Sequence, residues 1–360
     1  MSSHYDNPLG LDGFAYVEFV SDKPDYLKDL FEKLGFVYYS KHKNLKIDLF
    51  RQGEINFLIN KEPSGFPQRF LQEHGPGACG VAFFVNNAAS AFEKSITAGA
   101  KPAASESRPG EIMVPAIEGI GGSKIYFIER YEAPHDFFDI NFEPSYLSDK
   151  ETHGFGLILV DHLTNNVYRG RMSYWADFYT KVFNFQQIRY FDVSGEYSGL
   201  HSKAMGAPDG KIKIPLNEEA EGSNGQIQEF LSKFNGEGIQ HIALTTDNII
   251  ETIDKIKSKG LPLMTPPPDK YYNLVDTRLP EHGQQLDELH QRGILIDGNT
   301  TDGEKRLLLQ IFSETLVGPL FFEFIERRGD NGFGEGNFKA LFESMERDQV
   351  IRGKLKTKEN

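Results

Sequence analysis

One pattern of predicted strands and a helix recurs four times along the chain, and this repetition limits the possible folds more than any other feature. Each copy opens with an alternating apolar strand, continues with an amphipathic helix that usually ends at a glycine, and closes with further strands. The opening strands are predicted at residues 13–20, 80–85, 157–163 and 239–245. Such a regular order indicates a scaffold built by duplication.

The copies pair into two halves that align residue by residue. Three pairs of aligned stretches are Gly77-Ala-Cys-Gly-Val-Ala-Phe with Gly238-Ile-Gln-His-Ile-Ala-Leu, Tyr126-Phe-Ile-Glu-Arg with Glu323-Phe-Ile-Glu-Arg, and Val17-Glu-Phe with Asp161-His-Leu. We therefore predict an α+β protein of four βαβββ units, with one domain over residues 1–150 and the other over 151–360. Linkers are predicted at 135–153, 218–225 and 264–303.

Composition and charge narrow the classes of function. Hydrophobic residues make up 39% of the 360 and charged residues 25%, as in ordinary globular proteins. The net charge of -13 disfavours nucleic acids and anionic membranes as partners. Residues 1–30 show no signal-peptide pattern, and no apolar run reaches the roughly 18 residues of a membrane helix. Because the single Cys79 cannot form an internal disulfide, we expect a reducing, cytoplasmic location.

Glu323 lies in an unusual environment for a carboxylate. The run 320–325 is otherwise apolar and predicts a buried strand. An ionised carboxylate in such a strand is destabilising unless it is paired or binds a metal. The run alone leaves three explanations open: an edge strand with Glu323 in water, a buried ion pair with Arg327 or Arg328, or a metal site.

Two histidines occupy matching strands of the second half. His162 lies in the opening strand of one unit and His241 in that of the next, whose last strand carries Glu323. Each histidine alternates with apolar neighbours, so we expect its side chain to point into the unit. The aligned residues of the first half are Glu18, Gly80 and Tyr126. Because these three cannot form the same set of ligands, we predict one metal centre, in the second half.

Two imidazoles and one carboxylate on separate strands are the facial arrangement of non-haem Fe(II) oxygenases. Such a set leaves room on the metal for a chelating substrate and for O2. With neutral imidazoles the ferrous site carries a net charge of about +1, which an anionic 2-oxo acid neutralises. Zn(II) accepts the same ligands, so the residues by themselves do not select the metal.

Several stretches match one protein family. They are Val160-Asp-His-Leu, Lys213-Ile-Pro-Leu-Asn-Glu, Gln226-Ile-Gln-Glu, Gly238-Ile-Gln-His-Ile-Ala-Leu, Leu308-Leu-Gln-Ile-Phe and Gly332-Phe-Gly-Glu-Gly-Asn-Phe. On these stretches the chain resembles the 4-hydroxyphenylpyruvate dioxygenase family over essentially its whole length. The resemblance implies a vicinal-oxygen-chelate (glyoxalase/bleomycin-resistance-like) fold with an open barrel in each half. It also implies Fe(2+) on His162, His241 and Glu323.

The resemblance further implies a substrate pocket. Its polar residues are Ser202, Asn217, Gln226, Gln240, Gln310 and Asn337, and its aromatic wall is Phe312, Phe333 and Phe338. Of these, Gln240, Gln310 and Asn217 are expected to act in catalysis. Gln310 lies in an otherwise apolar predicted strand, so its amide needs a buried partner.

The C-terminal segment predicts a lid. Phe338, Leu341, Phe342 and Met345 form the apolar face of a predicted helix that ends near residue 349. Glycines at 329, 332, 334 and 336 precede this helix. We expect it to cover the metal site and to exclude water, although simple packing on the barrel would give the same pattern.

The activity that the resemblance implies is conversion of 4-hydroxyphenylpyruvate and O2 to homogentisate and CO2, in tyrosine and phenylalanine catabolism, by a homodimer or homotetramer. Three alternatives remain open from the sequence. One is 4-hydroxymandelate synthase, which hydroxylates the side chain of the same substrate. The others are a non-oxidative metal-dependent lyase or isomerase, and a module that only binds small molecules. The first half is expected to be structural.

Overall fold

Two eight-stranded sheets organise the part of the chain that the computed structural model describes, residues 6–104, 113–130, 136–194, 198–223 and 225–338. The strands of the first sheet are β1 (Leu11–Val20), β2 (Val37–Lys41), β3 (Ile47–Gln52), β4 (Ile55–Asn60), β5 (Gly77–Val85), β6 (Pro102–Ala103), β7 (Ala116–Glu118) and β8 (Lys124–Glu129). Those of the second are β9 (Leu157–Asn166), β10 (Gln186–Ser194), β11 (Gly199–Gly206), β12 (Lys213–Glu219), β13 (Gly238–Thr246), β14 (Leu295–Asn299), β15 (Arg306–Phe312) and β16 (Phe321–Arg328).

Helices connect the strands and cover the sheets. They are α1 (Pro24–Lys33), α2 (Phe66–His74), α3 (Ala88–Thr97), α4 (Phe137–Asn141), α5 (Asp149–Thr152), α6 (Met172–Phe183), α7 (Gln226–Phe234), α8 (Ile249–Ser258), α9 (Asp269–Asn273), α10 (Val275–Arg278) and α11 (Leu286–Arg292). Within the described ranges, none of these helices has the length and apolar character needed to cross a bilayer.

The two sheets have the same topology. The first runs β2-β3-β4-β1-β5-β8-β7-β6 and the second β10-β11-β12-β9-β13-β16-β15-β14. At each centre, the opening strands of two units pair antiparallel, and each opening strand also pairs in parallel with the last strand of its own unit. The predicted α+β architecture of four units paired into two halves is therefore confirmed.

The two halves share a hydrophobic core. Phe57 and Phe322 bring their ring centroids to 6.0 Å across the junction, and Phe83 and Phe183 to 5.7 Å. All four side chains are fully buried. Because burial of one such ring contributes about 1.5–3 kcal/mol, these contacts hold the sheets in a fixed relation and use many of the phenylalanines.

The strand registers correct one predicted correspondence. Tyr16 lies opposite Ala82 in the first sheet, and His162 lies opposite Ala243 in the second. Since Ala82 and Ala243 are aligned in the repeat, the counterpart of His162 is Tyr16, so the prediction of Glu18 is wrong by two residues. Residues two apart share a face of a strand, which is why the face was predicted correctly although the position was not.

Local signals also missed several elements. β11 and α7 were not predicted, and the run 264–303, taken as an irregular linker, contains α9, α10, α11 and β14. The predicted linker 135–153 contains α4 and α5. The helices in these two linkers have only four to seven residues each, too few for periodicity to be recognised. The predicted lid helix lies almost wholly outside the described residues, which end at Phe338.

Candidate metal centre

Three adjacent strands bring the predicted ligands together. His162 lies on β9, His241 on β13 and Glu323 on β16, and these strands are neighbours in the second sheet. Ala243 of β13 lies opposite both His162 and Glu323, so the two side chains flank the central strand at one level. The three ligands are 3%, 5% and 2% exposed, respectively, which means that water does not solvate their charges.

The potential ligand atoms converge on one point. The distance is 3.3 Å from His162 Nε2 to His241 Nε2, and Glu323 Oε2 lies 3.2 and 3.5 Å from the same two nitrogens. An ion at about 2.1 Å from each of three atoms, with angles between about 90° and 110°, separates those atoms by about 3.0–3.4 Å. The residues therefore fit a bound metal ion, with one face of that ion left for other ligands.

The outer nitrogen of each imidazole fixes its tautomer. His162 Nδ1 donates to Asp161 Oδ2 at 2.8 Å, and His241 Nδ1 donates to Gln240 Oε1 at 3.0 Å. In the neutral rings both Nε2 atoms then carry lone pairs. In this neutral form two lone pairs and a carboxylate oxygen face one another, an arrangement that a cation bound between them stabilises.

Local breaks in the β-ladder make these outer contacts possible. The register between β9 and β13 shifts at Asp161 and at Gln240, and a third time between Val160 and Leu157. A β-bulge inserts an extra residue and redirects its side chain. Asp161 and Gln240 are the inserted residues, so each lies behind the histidine that follows it instead of on the opposite face.

The charges of the ligands depend on one another. Burial opposes ionisation of Glu323, but the imidazoles of His162 and His241 outweigh it and lower the pKa of this carboxyl to about 2. Burial also disfavours the charged form of both histidines. The pKa of His162 is nevertheless raised by the Glu323 and Asp161 carboxylates, whereas that of His241 is lowered. Glu323 is thus ionised at neutral pH.

The second oxygen of Glu323 is held by an amide chain. Gln310 Nε2 donates to Glu323 Oε1 at 2.8 Å and to the backbone oxygen of Phe333 at 3.1 Å. Asn337 Nδ2 donates to Gln310 Oε1 at 2.8 Å, and Tyr271 Oη donates to Asn337 Oδ1 at 2.5 Å. Gln310 therefore has the buried partner that its apolar strand required, and that partner is the ligand itself.

Arg327 and Arg328 do not pair with Glu323. Arg327 forms a two-pronged ion pair with Asp161, with both nitrogen–oxygen distances at 2.8 Å. Arg328 Nε donates to Glu326 Oε1 at 2.5 Å. The predicted alternative of a buried pair between Glu323 and one of these arginines is wrong, and the edge-strand alternative is wrong because β16 lies between β13 and β15.

A small cavity, with a volume of about 20 Å³, opens beside the ligands. Its wall includes five of the residues that the sequence predicted, namely Ser202, Asn217, Phe312, Phe333 and Phe338, together with three that it missed, Thr164, Phe191 and Pro215. The remaining predicted pocket residues, Gln226, Gln240, Gln310 and Asn337, are buried but do not line this cavity.

Three buried amide oxygens have no hydrogen-bond donor among the described residues. They are Asn166 Oδ1, Asn217 Oδ1 and Gln226 Oε1. A buried acceptor without a donor is destabilising by about 1–3 kcal/mol. Such groups are common where a ligand supplies the missing partner, and Asn217 faces the cavity.

Duplicated βαβββ units, with one buried His, His, Glu set facing a cavity, define a metalloenzyme of the vicinal-oxygen-chelate class. Family models match residues 5–143 ("Hydroxyphenylpyruvate dioxygenase, HPPD, N-terminal") and residues 159–282 ("Glyoxalase/Bleomycin resistance protein/Dioxygenase superfamily"). The 4-hydroxyphenylpyruvate dioxygenase of Pseudomonas sp. (strain P.J. 874) is 54% identical, over 98% of this chain and 99% of that protein. The chain belongs to the 4-hydroxyphenylpyruvate dioxygenase family.

Other relatives and solved structures agree. The 4-hydroxyphenylpyruvate dioxygenase of Pseudomonas aeruginosa is 46% identical over 96% of this chain and 97% of its own length. A mutant of 4-hydroxymandelate synthase from Streptomyces coelicolor superimposes with a TM-score of 0.80 at 25% identity, covering 94% of this chain and 99% of that one. A xylose isomerase-like TIM barrel/4-hydroxyphenylpyruvate dioxygenase fusion protein gives 0.79 at 29% identity, over 95% of this chain and 54% of its own. The predicted fold and family are confirmed.

Proposed function

We propose that this chain converts 4-hydroxyphenylpyruvate and O2 to homogentisate and CO2, with Fe(II) held by His162, His241 and Glu323. The observation that carries the proposal is the convergence of the three ligand atoms, within 3.5 Å of one another, beside a cavity. Close relatives over the full chain bear the name of this activity.

Fe(II), when bound, supplies coordination positions for a chelating 2-oxo acid and the capacity to activate O2. The protein contributes charge balance. Two neutral imidazoles and the ionised Glu323 leave about one positive charge on the centre, which suits an anionic substrate. Asp161 and Gln240 hold the ring protons on Nδ1, so that both Nε2 lone pairs stay directed at the metal.

Polar residues of β11 and β12 are suited to orient the far end of the substrate. Ser202 and Asn217 lie opposite each other on these strands and both line the cavity. Asn217 Oδ1 is an acceptor, so the phenolic hydroxyl of 4-hydroxyphenylpyruvate can donate to it. Gln226 Oε1 is also free to accept, but Gln226 does not line the cavity, so we assign it no direct contact with the substrate. A neutral amide orients a phenol without adding charge.

Aromatic side chains form the rest of the wall. Phe333 packs edge-to-face on His162 with ring centroids 5.4 Å apart, and Phe338 stacks on Phe191 at 6.0 Å. Together with Phe312 these rings favour an aromatic substrate and exclude water from the reacting atoms. Gln240, Gln310 and Asn337 act in this proposal through the ligands that they hold and not by touching the substrate.

The division of labour between the halves is part of the proposal. We assign residues 151–360 as the catalytic domain and residues 1–150 as a structural partner that shares the core. We also propose a cytoplasmic homodimer or homotetramer, which light scattering on the purified protein tests directly.

An oxygen electrode and product analysis test the reaction. Iron-loaded protein given 4-hydroxyphenylpyruvate should take up O2 and yield homogentisate, identified by mass and retention time, and His241→Ala should show neither. Hydroxymandelate as product would overturn the ring-hydroxylation proposal in favour of the side-chain alternative. Turnover without O2 uptake would indicate a lyase or isomerase, and binding without turnover would indicate a sequestering module.

A further inference from the structure

The two imidazoles have unequal outer partners. The partner of His241 is the neutral amide of Gln240, whereas that of His162 is the carboxylate of Asp161. Asp161 is 4% exposed. A buried charge of this kind must be compensated by others, and its compensation links the metal centre to a different part of the chain.

Arg327 and Lys213 compensate Asp161. The guanidinium approaches with Nε and Nη2, each 2.8 Å from one carboxylate oxygen, and Lys213 Nζ lies 3.2 Å from Oδ1. Despite burial, these hydrogen bonds and that from His162 hold the pKa of Asp161 well below its usual range. The rigid fork of an arginine suits two-pronged recognition of a carboxylate, whereas an ammonium group does not reproduce it.

The remaining nitrogen of Arg327 binds the glycine-rich segment 329–334. Nη1 donates to the backbone oxygen of Asp330 at 3.0 Å and to that of Gly332 at 2.7 Å. The next residue, Phe333, lines the cavity and packs on the ring of His162. One guanidinium therefore holds both the carboxylate behind His162 and the loop that places an aromatic ring in front of it.

We infer that Arg327 is a positioning residue for the metal centre. Through Asp161 it fixes the orientation of the His162 ring, and through the carbonyls of Asp330 and Gly332 it fixes the seat of Phe333 against that ring. The inference rests on the proposed function, because it takes His162 to be a metal ligand. A buried ion pair often contributes little to the stability of the fold. The inference gives the Asp161–Arg327 pair a further role, the positioning of the metal ligand.

Co(II) binding separates this role from a structural one. The single variants are Asp161→Asn and Arg327→Lys, and the double variant is Asp161→Asn/Arg327→Gln, which leaves the net charge of the cluster unchanged. Each metal-free protein is titrated with Co(II), followed by its visible absorption, and its thermal unfolding midpoint is measured. Loss of an outer partner of a metal ligand typically weakens metal binding about 10- to 100-fold, and we expect that loss in both single variants.

The double variant gives the decisive comparison. It should recover much of the unfolding midpoint lost by Asp161→Asn, since the guanidinium is removed together with its carboxylate and only the partly exposed Lys213 loses a counter-ion. Its Co(II) affinity should nevertheless stay about 10- to 100-fold below wild type. Recovery of both properties, or single variants that bind Co(II) as tightly as wild type, would overturn the inference. If the double variant does not fold, Arg327→Lys, which keeps the charge but not the fork, decides the question by the same affinity measurement.

A control and a substrate readout complete the test. Arg328→Lys changes the neighbouring arginine, which contacts Glu326 instead, and should leave Co(II) affinity within about twofold of wild type. Arg327→Lys should also raise KM for the aromatic 2-oxo acid several-fold, because Phe333 loses its support.

If wild type itself binds no Co(II) and takes up no O2, the proposed function fails. If wild type does both and the variants match it, this inference alone fails.

Discussion

The two halves place different chemistry at equivalent positions of the same sheet. The counterparts of His162, His241 and Glu323 are Tyr16, Gly80 and Tyr126. In the first half the polar groups satisfy one another: Tyr126 Oη donates to Glu18 Oε2 at 2.8 Å, and Asn60 Nδ2 donates to Glu18 Oε1 at 2.6 Å. In the second half, when both imidazoles are neutral, acceptors face acceptors. The comparison indicates that the same backbone serves both halves and that the side-chain donors and acceptors decide which half can hold a metal ion.

The space at the centre of each sheet follows the same division. A Cβ atom on Gly80 would lie 2.8 Å from a ring carbon of Tyr126 and 2.9 Å from Glu18 Oε2. The equivalent position of the second half holds the whole imidazole of His241. In the first half, the phenol of Tyr126 and the carboxylate of Glu18 thus occupy the volume that the His241 imidazole occupies in the second half.

The largest expected effect comes from substituting Glu323, the third ligand, and comparing it with a substitution of its first-half counterpart, Tyr126. Glu323→Gln removes the anionic ligand, so we expect metal affinity and O2 uptake to fall by about 100-fold or more. Tyr126→Phe, the change at the matching position of the first half, should leave turnover unaltered while lowering the free energy of unfolding by about 1–3 kcal/mol, since Glu18 loses a donor. Oxygen uptake and urea unfolding measure both. Equal loss of activity in the two variants would contradict the division of labour.

The pH dependence of the unfolding of the metal-free protein should reveal the lowered pKa of Glu323. The pKa of Glu323 falls from its ordinary 4.5 to about 2 on folding. Its ionised form therefore contributes stability that is complete above pH about 4.5 and is lost as the pH falls toward about 2, by about 3 kcal/mol in total. Chemical unfolding at a series of pH values should show a shallower pH dependence for Glu323→Gln than for wild type. Parallel curves would show that His162 and His241 do not hold the carboxylate ionised.

Adding a methyl group at Gly80 tests how much free volume the first half has at the position equivalent to His241. Gly80→Ala should lower the free energy of unfolding by about 1–3 kcal/mol through overpacking, without loss of Co(II) binding in the other half. The same change made in a Tyr126→Ala background should cost less, because the nearest ring carbon is gone. Additive effects in this double-mutant cycle would indicate that the ring is not the obstacle.

The smallest expected effect concerns the surface between the halves. Asp12 of the first half pairs with Lys211 of the second and with Arg130. The side chains of Lys211 and Arg130 are exposed, and that of Asp12 is partly buried. Asp12→Asn should change the free energy of unfolding by less than about 1 kcal/mol, and the difference should vanish at high salt. A larger effect that persists in salt would mean that this pair, and not the shared core, fastens the halves together.

The ligands were predictable because their signals are local and repeated. His162, His241 and Glu323 each interrupt an apolar strand, and the repeat predicts equivalent positions for those strands. The same approach misassigned Glu18 as the counterpart of His162. Bulges in the ladder change the register without leaving a sign in the hydrophobic pattern, so alignment by periodicity is accurate only to the face of a strand.

The outer partners were not predictable in the same way. Asp161 and Arg327 lie 166 residues apart, and Arg327 could equally have faced Glu323, which is the pairing that the sequence suggested. Gln240 and Gln310 were placed at the site by resemblance, but the contacts that they make, with His241 and Glu323, come from the fold. Polar pairing of this kind depends on strand order and side-chain direction, neither of which a single chain segment encodes.

The amino-acid sequence by itself determined the four units, the half that carries the ligands and the residues that compose them, because apolar periodicity, helix-ending glycines and polar residues in apolar strands are properties of short segments. The tertiary structure alone decided which lone pairs meet, which arginine compensates Asp161 and which amides hold the ligands. Those contacts form between strands that are distant in the chain, and at two positions they depend on a single inserted residue that turns a side chain from one face of the sheet to the other.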